Sequence, residues 1–325
     1  MIPALALLFW MQAIDTTGPD QLYAAGEFQK AAGAYRDLLM KAPQDPMLLT
    51  RLGACEYQLG RFQQAEDAFR KAVSAAPELP PALVGLGTSL ITLGRSKEAV
   101  PVLEKAMKLN PEDVMARRAL GHAYQEQERF VEGEAVLRSV LKENPRDAES
   151  WYYLGVLFFE RKYAQSALDA LDKALAVQPG NFRAKLYRAA ALVQLGRTQE
   201  AESAFTSLGR IPGALKDPEY LAEYALLLYH TNRSEAALEK IDQALAVAPE
   251  SPKLHFWRAR MLLAKGELSS AAAAAKKSVE LGPDLPNARN LLLRIYRLQG
   301  NNQDAARMAA WLRNHSQRNT RGAAR

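Results

Sequence analysis

One cysteine and four histidines in 325 residues leave little scope for thiol or metal chemistry. Cys55 has no second cysteine to pair with, so an internal disulfide is excluded. It stands beside Gly53 and Ala54, where the expected role is that of a small buried hydrophobe. None of His122, His230, His255 and His315 lies three or four residues from another histidine or from the cysteine, so no helical metal-ligand pair exists and no metal or cofactor is expected. Nucleophile elbows and Ser, His, Asp constellations are missing as well. Gly85-Leu86-Gly87 imitates half a phosphate loop, but it falls inside an expected helix and no Lys-Ser or Lys-Thr follows. The composition therefore points away from an enzyme.

Long apolar runs are also scarce. Ile2 to Ile14 is uncharged and carries Leu5, Leu7, Leu8, Phe9 and Trp10, but its thirteen residues fall short of a bilayer span, which takes roughly 20. That length suits the core of a secretory signal, so residues 1–14 are read as a signal peptide and the protein as exported to the periplasm or cell envelope. The competing reading is a cytoplasmic protein whose apolar N-terminal helix caps the first repeat. A net charge of +6 is mild for this length, and part of it sits in a tail, 314–325, with Arg318, Arg321 and Arg325. That tail lacks apolar periodicity and is expected to be solvated.

What the chain has in quantity is a period. Pro43, Pro77, Pro111, Pro145 and Pro179 are spaced by 34 residues, and Pro249 and Pro283 resume the interval. Ten residues after Pro43 comes Gly53, and the small series continues as Gly87, Gly121, Gly155 and Ala189, then Ala225 and Ala259. A second small series runs Ala31, Ala65, Ala99, Gly133, Ala167, Ala201, Ala237, Ala271 and Ala305. Two small residues per repeat, one on each of two helices, predict close approach of the paired backbones. Between them Gly26, Gly60, Gly94, Gly196, Gly266 and Gly300, with Asn232 as the variant, mark a turn that accepts the left-handed conformation. Four residues beyond the second small series stand Tyr35, Phe69, Leu103, Leu137, Leu171, Phe205 and Ile241, an apolar stripe that a neighbouring hairpin must cover. Proline then stops each second helix.

This frame resembles the tetratricopeptide repeat, most closely in Trp151-Tyr152-Tyr153-Leu154-Gly155 with Phe158, Ala167, Leu171, Ala174 and Pro179. The resemblance covers roughly residues 20 to 313 and implies an all-α, right-handed superhelical α-solenoid of about nine helix-turn-helix repeats. Repeats begin near residues 12, 46, 80, 114, 148, 182, 218, 252 and 286, the first being degenerate where Gly18 and Pro19 interrupt it and the last having Ala309 at its large apolar position. The solenoid is assigned to residues 15–313. The interval from Pro179 to Pro249 exceeds two periods by two residues, and the excess falls in a longer loop at 209–218.

Resemblance also implies where a ligand would lie, on a concave face built by the first helices. Family groove positions carried onto this chain give Arg51, Arg118, His122, Tyr152, Tyr153, Arg183, Tyr187, Trp257, Arg260 and Arg294. Aromatics beside arginines are the usual anchors of interfaces. For Tyr153 an equal alternative is packing between helices. The asparagines and lysines with which some family members hold a peptide carboxylate are not matched: Thr88, His122, Val156, Ala190, Leu226 and Arg260 stand at the asparagine position. The expected function is a noncatalytic scaffold binding a peptide or protein segment of acidic character. The alternative is a regulatory or targeting subunit of a separately encoded envelope enzyme such as a glycosyltransferase. Nucleic acid is not the expected partner, because Glu149, Glu160, Glu219 and Glu223 would interrupt a phosphate track.

Overall fold

The computed structural model describes residues 15–282 and 286–322, with side chains for 15–282 and 287–313. The apolar run Ile2 to Ile14, read as an export signal, lies outside the described residues, as do Pro283 and the side chains of the basic tail. Among the described residues there are eighteen α-helices, one short 3-10 helix and no strand. The chain divides into two compact units, Met1–Arg161 and Lys162–Arg325.

The first unit holds α1 (Thr17–Ala24), α2 (Phe28–Lys41), α3 (Pro46–Gln58), α4 (Phe62–Ala75), α5 (Pro80–Thr92), α6 (Ser96–Leu109), α7 (Val114–Glu126), α8 (Phe130–Glu143) and α9 (Ala148–Glu160). The second holds α10 (Ala164–Val177), α11 (Phe182–Gln194), α12 (Thr198–Gly209), α13 (Pro218–His230), α14 (Ser234–Val247), α15 (Pro252–Ala264), α16 (Leu268–Leu281), α17 (Pro286–Leu298) and α18 (Asn302–Gly322). Within each unit every helix packs on its sequence neighbours. Pro19 does not interrupt the first helix as expected: α1 begins at Thr17, so the proline falls in the first turn, where no intrahelical amide bond is lost. At the other end α18 runs on to Gly322, past the boundary drawn at 313.

Six first helices start on side-chain caps. Asp45, Asp113, Asp147, Asn181, Asp217 and Ser251 each accept a hydrogen bond from backbone amides in the opening turn, a contact worth about 1 kcal/mol. Five of the six stand two residues after the period-marking Pro43, Pro111, Pro145, Pro179 or Pro249. The left-handed turn recurs at Gly26, Gly60, Gly94, Gly196, Asn232, Gly266 and Gly300, and also at Glu128 (φ 56°) and Lys162 (φ 64°), where no glycine announces it.

The two small series do different work. At Gly133 on α8, in the second-helix series, the expectation of backbone proximity holds: a Cβ there would lie 3.2 Å from the Gly121 carbonyl of α7. On first helices it does not. The space above Gly87 is filled by Leu103 of the same hairpin, 2.4 Å from where a Cβ would stand, and Leu137 fills the space above Gly121 at 2.7 Å. Phe69 is wedged between Gly53 and Gly85, whose Cβ atoms would come within 2.9 and 2.3 Å of its ring. The Gly85-Leu86-Gly87 run is thus a packing device. The large stripe residues are knobs, and the first-helix glycines are the holes that receive them.

In the second unit the longer loop at 209–218 forms a 3-10 helix, Ala214–Lys216. Ala214 is buried, and the Tyr220 hydroxyl donates to the Phe205 carbonyl at 3.0 Å, so the insertion is fastened into the core.

Candidate binding faces

Arginine dominates the contacts between repeats. Arg95, in the turn after α5, donates to both oxygens of Glu66 on α4 at 2.8 Å, and Arg70 adds a third bond at 2.6 Å. Arg161 reaches Glu134 at 3.0 Å and Arg233 reaches Glu202 at 2.7 Å in the same way. Glu66 is only 2% exposed, as is Glu56, which Arg36 and Arg61 hold. Burial acts to raise the Glu66 carboxyl, but the Arg70 hydrogen bond and the charges of Arg95 and Arg70 outweigh it and hold it below the ordinary carboxylate range. These carboxylates are closed off as structural rivets.

Four of the expected site residues come together in the first unit, on α7 and α9. The His122 ring stacks on Tyr153 with centroids 4.7 Å apart, and Tyr152 packs against Tyr153 at 5.1 Å. Arg118 is paired with Glu149 and lies 3.8 Å from Asp147, which leaves its side chain 17% exposed. His122 stands 3.7 Å from Glu126. Burial, with the nearby Glu149 carboxylate, pushes the Tyr153 phenol up to about 12. Val156 and Gly155 beside them are buried. Tyr153 therefore packs between helices, stacked on His122 and touching Tyr152. Arg51 stands apart from this cluster, paired with Asp20 of α1.

In the second unit Arg183 and Tyr187 of α11 converge on Glu219 of α13, at 2.5 and 2.6 Å, and Arg183 also pairs with Asp217 at 2.8 Å. Arg260 of α15 lies over the Trp257 ring at 4.7 Å and near Tyr229 of α13 at 5.8 Å. The Trp257 indole nitrogen is buried without a hydrogen-bond partner. Arg294 is exposed on α17, away from both groups.

A cleft of about 240 Å³ opens between the starts of α13 and α15, lined by Glu219, Ala222, Glu223, Ser251, Lys253 and Leu254 among others. Glu223 at its wall is 8% exposed. Burial raises its carboxyl above the ordinary range, with Glu219 adding to the rise and Lys253 and Lys162 opposing it. From the sequence Glu223 reads as one more groove carboxylate. Its isolation was visible only as the absence of an arginine at the flanking repeat positions, a signal that spacing alone does not weigh. Among the described residues no group of three or more His, Cys, Asp or Glu is arranged to hold a metal ion, and no helix is long and apolar enough to cross a membrane.

Residues 20–139 match the profile of the cilia and flagella-associated protein 70 middle TPR-like domain, and 118–173, 164–214 and 224–286 match a tetratricopeptide repeat profile. The chain belongs to the tetratricopeptide repeat family, whose fold supports a protein-interaction role. Among human proteins it is 29% identical over 142 residues to Protein O-mannosyl-transferase TMTC1, covering 42% of this chain and 16% of that protein. It is 32% identical over 95 residues to DnaJ homolog subfamily C member 7, covering 29% of this chain and 19% of that one. The matches thus span less than a fifth of either relative's length.

Among solved structures, a tetratricopeptide repeat protein from Parabacteroides merdae aligns with a TM-score of 0.60 and 22% identity over 80% of this chain and 98% of that one. Human IFIT1 bound to m7Gppp-AAAA aligns with a TM-score of 0.59 and 18% identity, over 86% and 72% respectively. At these identities the likeness is one of fold.

Proposed function

We propose that the protein is a noncatalytic scaffold that binds a polypeptide segment on the faces formed by its first helices. The observation that carries this reading is the α7 and α9 cluster, where Arg118, His122, Tyr152 and Tyr153 are gathered on two neighbouring first helices. A half-exposed aromatic pair next to a guanidinium supplies apolar area and attraction for carboxylates. An acidic segment would compete with Glu149 for Arg118 while its backbone lies against Tyr152. Because the exchange is ionic, binding weakens as salt is raised. The test is titration with the acidic pentapeptide Ac-Asp-Ala-Asp-Ala-Asp-NH2. Tyr152→Ala should weaken it by about 1–2 kcal/mol without unfolding the chain; unchanged affinity rejects this face.

One observation favours a second reading, a targeting or regulatory subunit of a separately encoded envelope enzyme: the partial similarity to an O-mannosyl-transferase. Exported localisation belongs with that reading. Co-purification of a glycosyltransferase with the tagged chain from its own host supports it, and a chain recovered from the cytoplasm with an intact Met1 opposes it.

A further inference from the structure

Glu223 differs from every other deeply buried carboxylate of the described chain. Glu56 and Glu66 are each enclosed by two arginines. Glu219, one helical turn before Glu223, is used by Arg183 and Tyr187. Among the described residues Glu223 has no hydrogen bond and no ion pair, although it is 8% exposed and borders the cleft between α13 and α15. Lys253 at the same cleft is exposed and forms no ion pair with it.

A carboxylate this deeply set is usually given a partner by the protein; Glu223 meets only what enters the cleft it borders. The cleft is large enough for one long side chain, and beside the polar Glu219, Ser251 and Lys253 its lining includes the apolar Ala222, Ala248 and Leu254, which suit an aliphatic stem carrying a charged head. A bound segment would bring the missing partner, a cationic head for Glu223. We infer that the α13/α15 cleft is a receptor for a lysine or arginine side chain of a bound polypeptide, with Glu223 as the residue that recognises its charge. The inference rests on the reading of the chain as a polypeptide-binding scaffold, but on a different unit from the acidic-segment face.

The test uses the full chain and two matched probes, Ac-Ala-Ala-Arg-Ala-Ala-NH2 and the same peptide with neutral citrulline for arginine. Carboxyl 13C spectra, with the Glu223 resonance assigned by its loss in Glu223→Gln, report on the site directly. The expected result is a shift of that resonance with the arginine peptide alone, at least tenfold tighter binding than citrulline, and loss of the preference in Glu223→Gln. Equal binding of both peptides, no binding of either, a resonance that does not move, or a preference that survives Glu223→Gln overturns the inference. Should Glu223→Gln fail to fold, the arginine-against-citrulline comparison on the wild-type chain still decides. Binding of the acidic pentapeptide is followed on the same sample: if it persists while the arginine peptide fails, the cleft is misread and the scaffold reading stands.

Discussion

The two units treat a buried carboxylate in opposite ways. In the first, Arg70 and Arg95 bond Glu66 and hold its carboxyl below the ordinary range; in the second, Glu223 borders a cleft with Ala222, Leu254 and Lys253 but forms no ion pair among the described residues, and burial holds its carboxyl above that range. Both lie in helices of a repeating frame. What separates them is the partner that the neighbouring repeat supplies. A solenoid builds each repeat against the next, so a charge matched from repeat to repeat becomes a rivet and an unmatched one becomes a receptor. The contrast extends to the apolar layer. First-helix glycines of the first unit receive Phe69, Leu103 and Leu137 as knobs, whereas the second unit has Ala189, Ala225 and Ala259 at the same positions, all buried.

The largest effect is expected where a hole is filled. Gly87→Leu places a side chain where Leu103 already stands and should cost about 3 kcal/mol in urea unfolding, while Ala225→Gly should cost about 1 kcal/mol, mainly through helix propensity. Equal losses would show the holes to be incidental. Next comes the rivet: Glu66→Ala removes charged hydrogen bonds to two half-exposed arginines and should cost about 2 kcal/mol, whereas Glu223→Gln should not lower the melting temperature.

Acidification then sharpens the same contrast. A carboxylate held below its unfolded value of about 4.3 contributes stability above that pH and loses it as the pH falls through the folded value. Glu66 is of this kind. A carboxylate held above its unfolded value does the reverse: its cost is absent below about 4.3 and is imposed as the pH rises through the folded value. Relative to wild type, Glu66→Gln should therefore lose less stability between pH 7 and pH 3, and Glu223→Gln should lose more. Parallel curves would break the comparison. The smallest effect is at the turns, where Glu128→Gly and Lys162→Gly relieve left-handed backbone and should each stabilise by about 0.5–1 kcal/mol; Gly94→Ala should do the opposite.

The period made the hairpins legible, because Pro43 through Pro283 and the two small series recur at fixed offsets whatever surrounds them. What each small position does was only half legible. Spacing places Gly87 and Ala99 on facing helices, but whether a neighbour's backbone or a side chain fills the space depends on the direction in which Leu103 leaves its helix. The turns at Glu128 and Lys162 escaped because the residue types that mark such turns were absent. Of the site, Arg118, His122, Tyr152 and Tyr153 were named through the family's groove positions carried onto this chain, and the structure sets them on α7 and α9. The rivets were not legible, since Arg95 meets Glu66 across 29 positions and the pattern skips a repeat where Val100 replaces the glutamate. The open state of Glu223 required knowing what does not reach it.

The most direct test of two oppositely charged receptors on one chain is a crossed binding measurement by fluorescence anisotropy at fixed salt, with the acidic and arginine pentapeptides against wild type, Tyr152→Ala and Glu223→Gln. The expected result is a double dissociation: Tyr152→Ala weakens the acidic peptide about tenfold and spares the basic one, and Glu223→Gln does the reverse. Both variants weakening both peptides alike, or neither weakening either, would contradict the account.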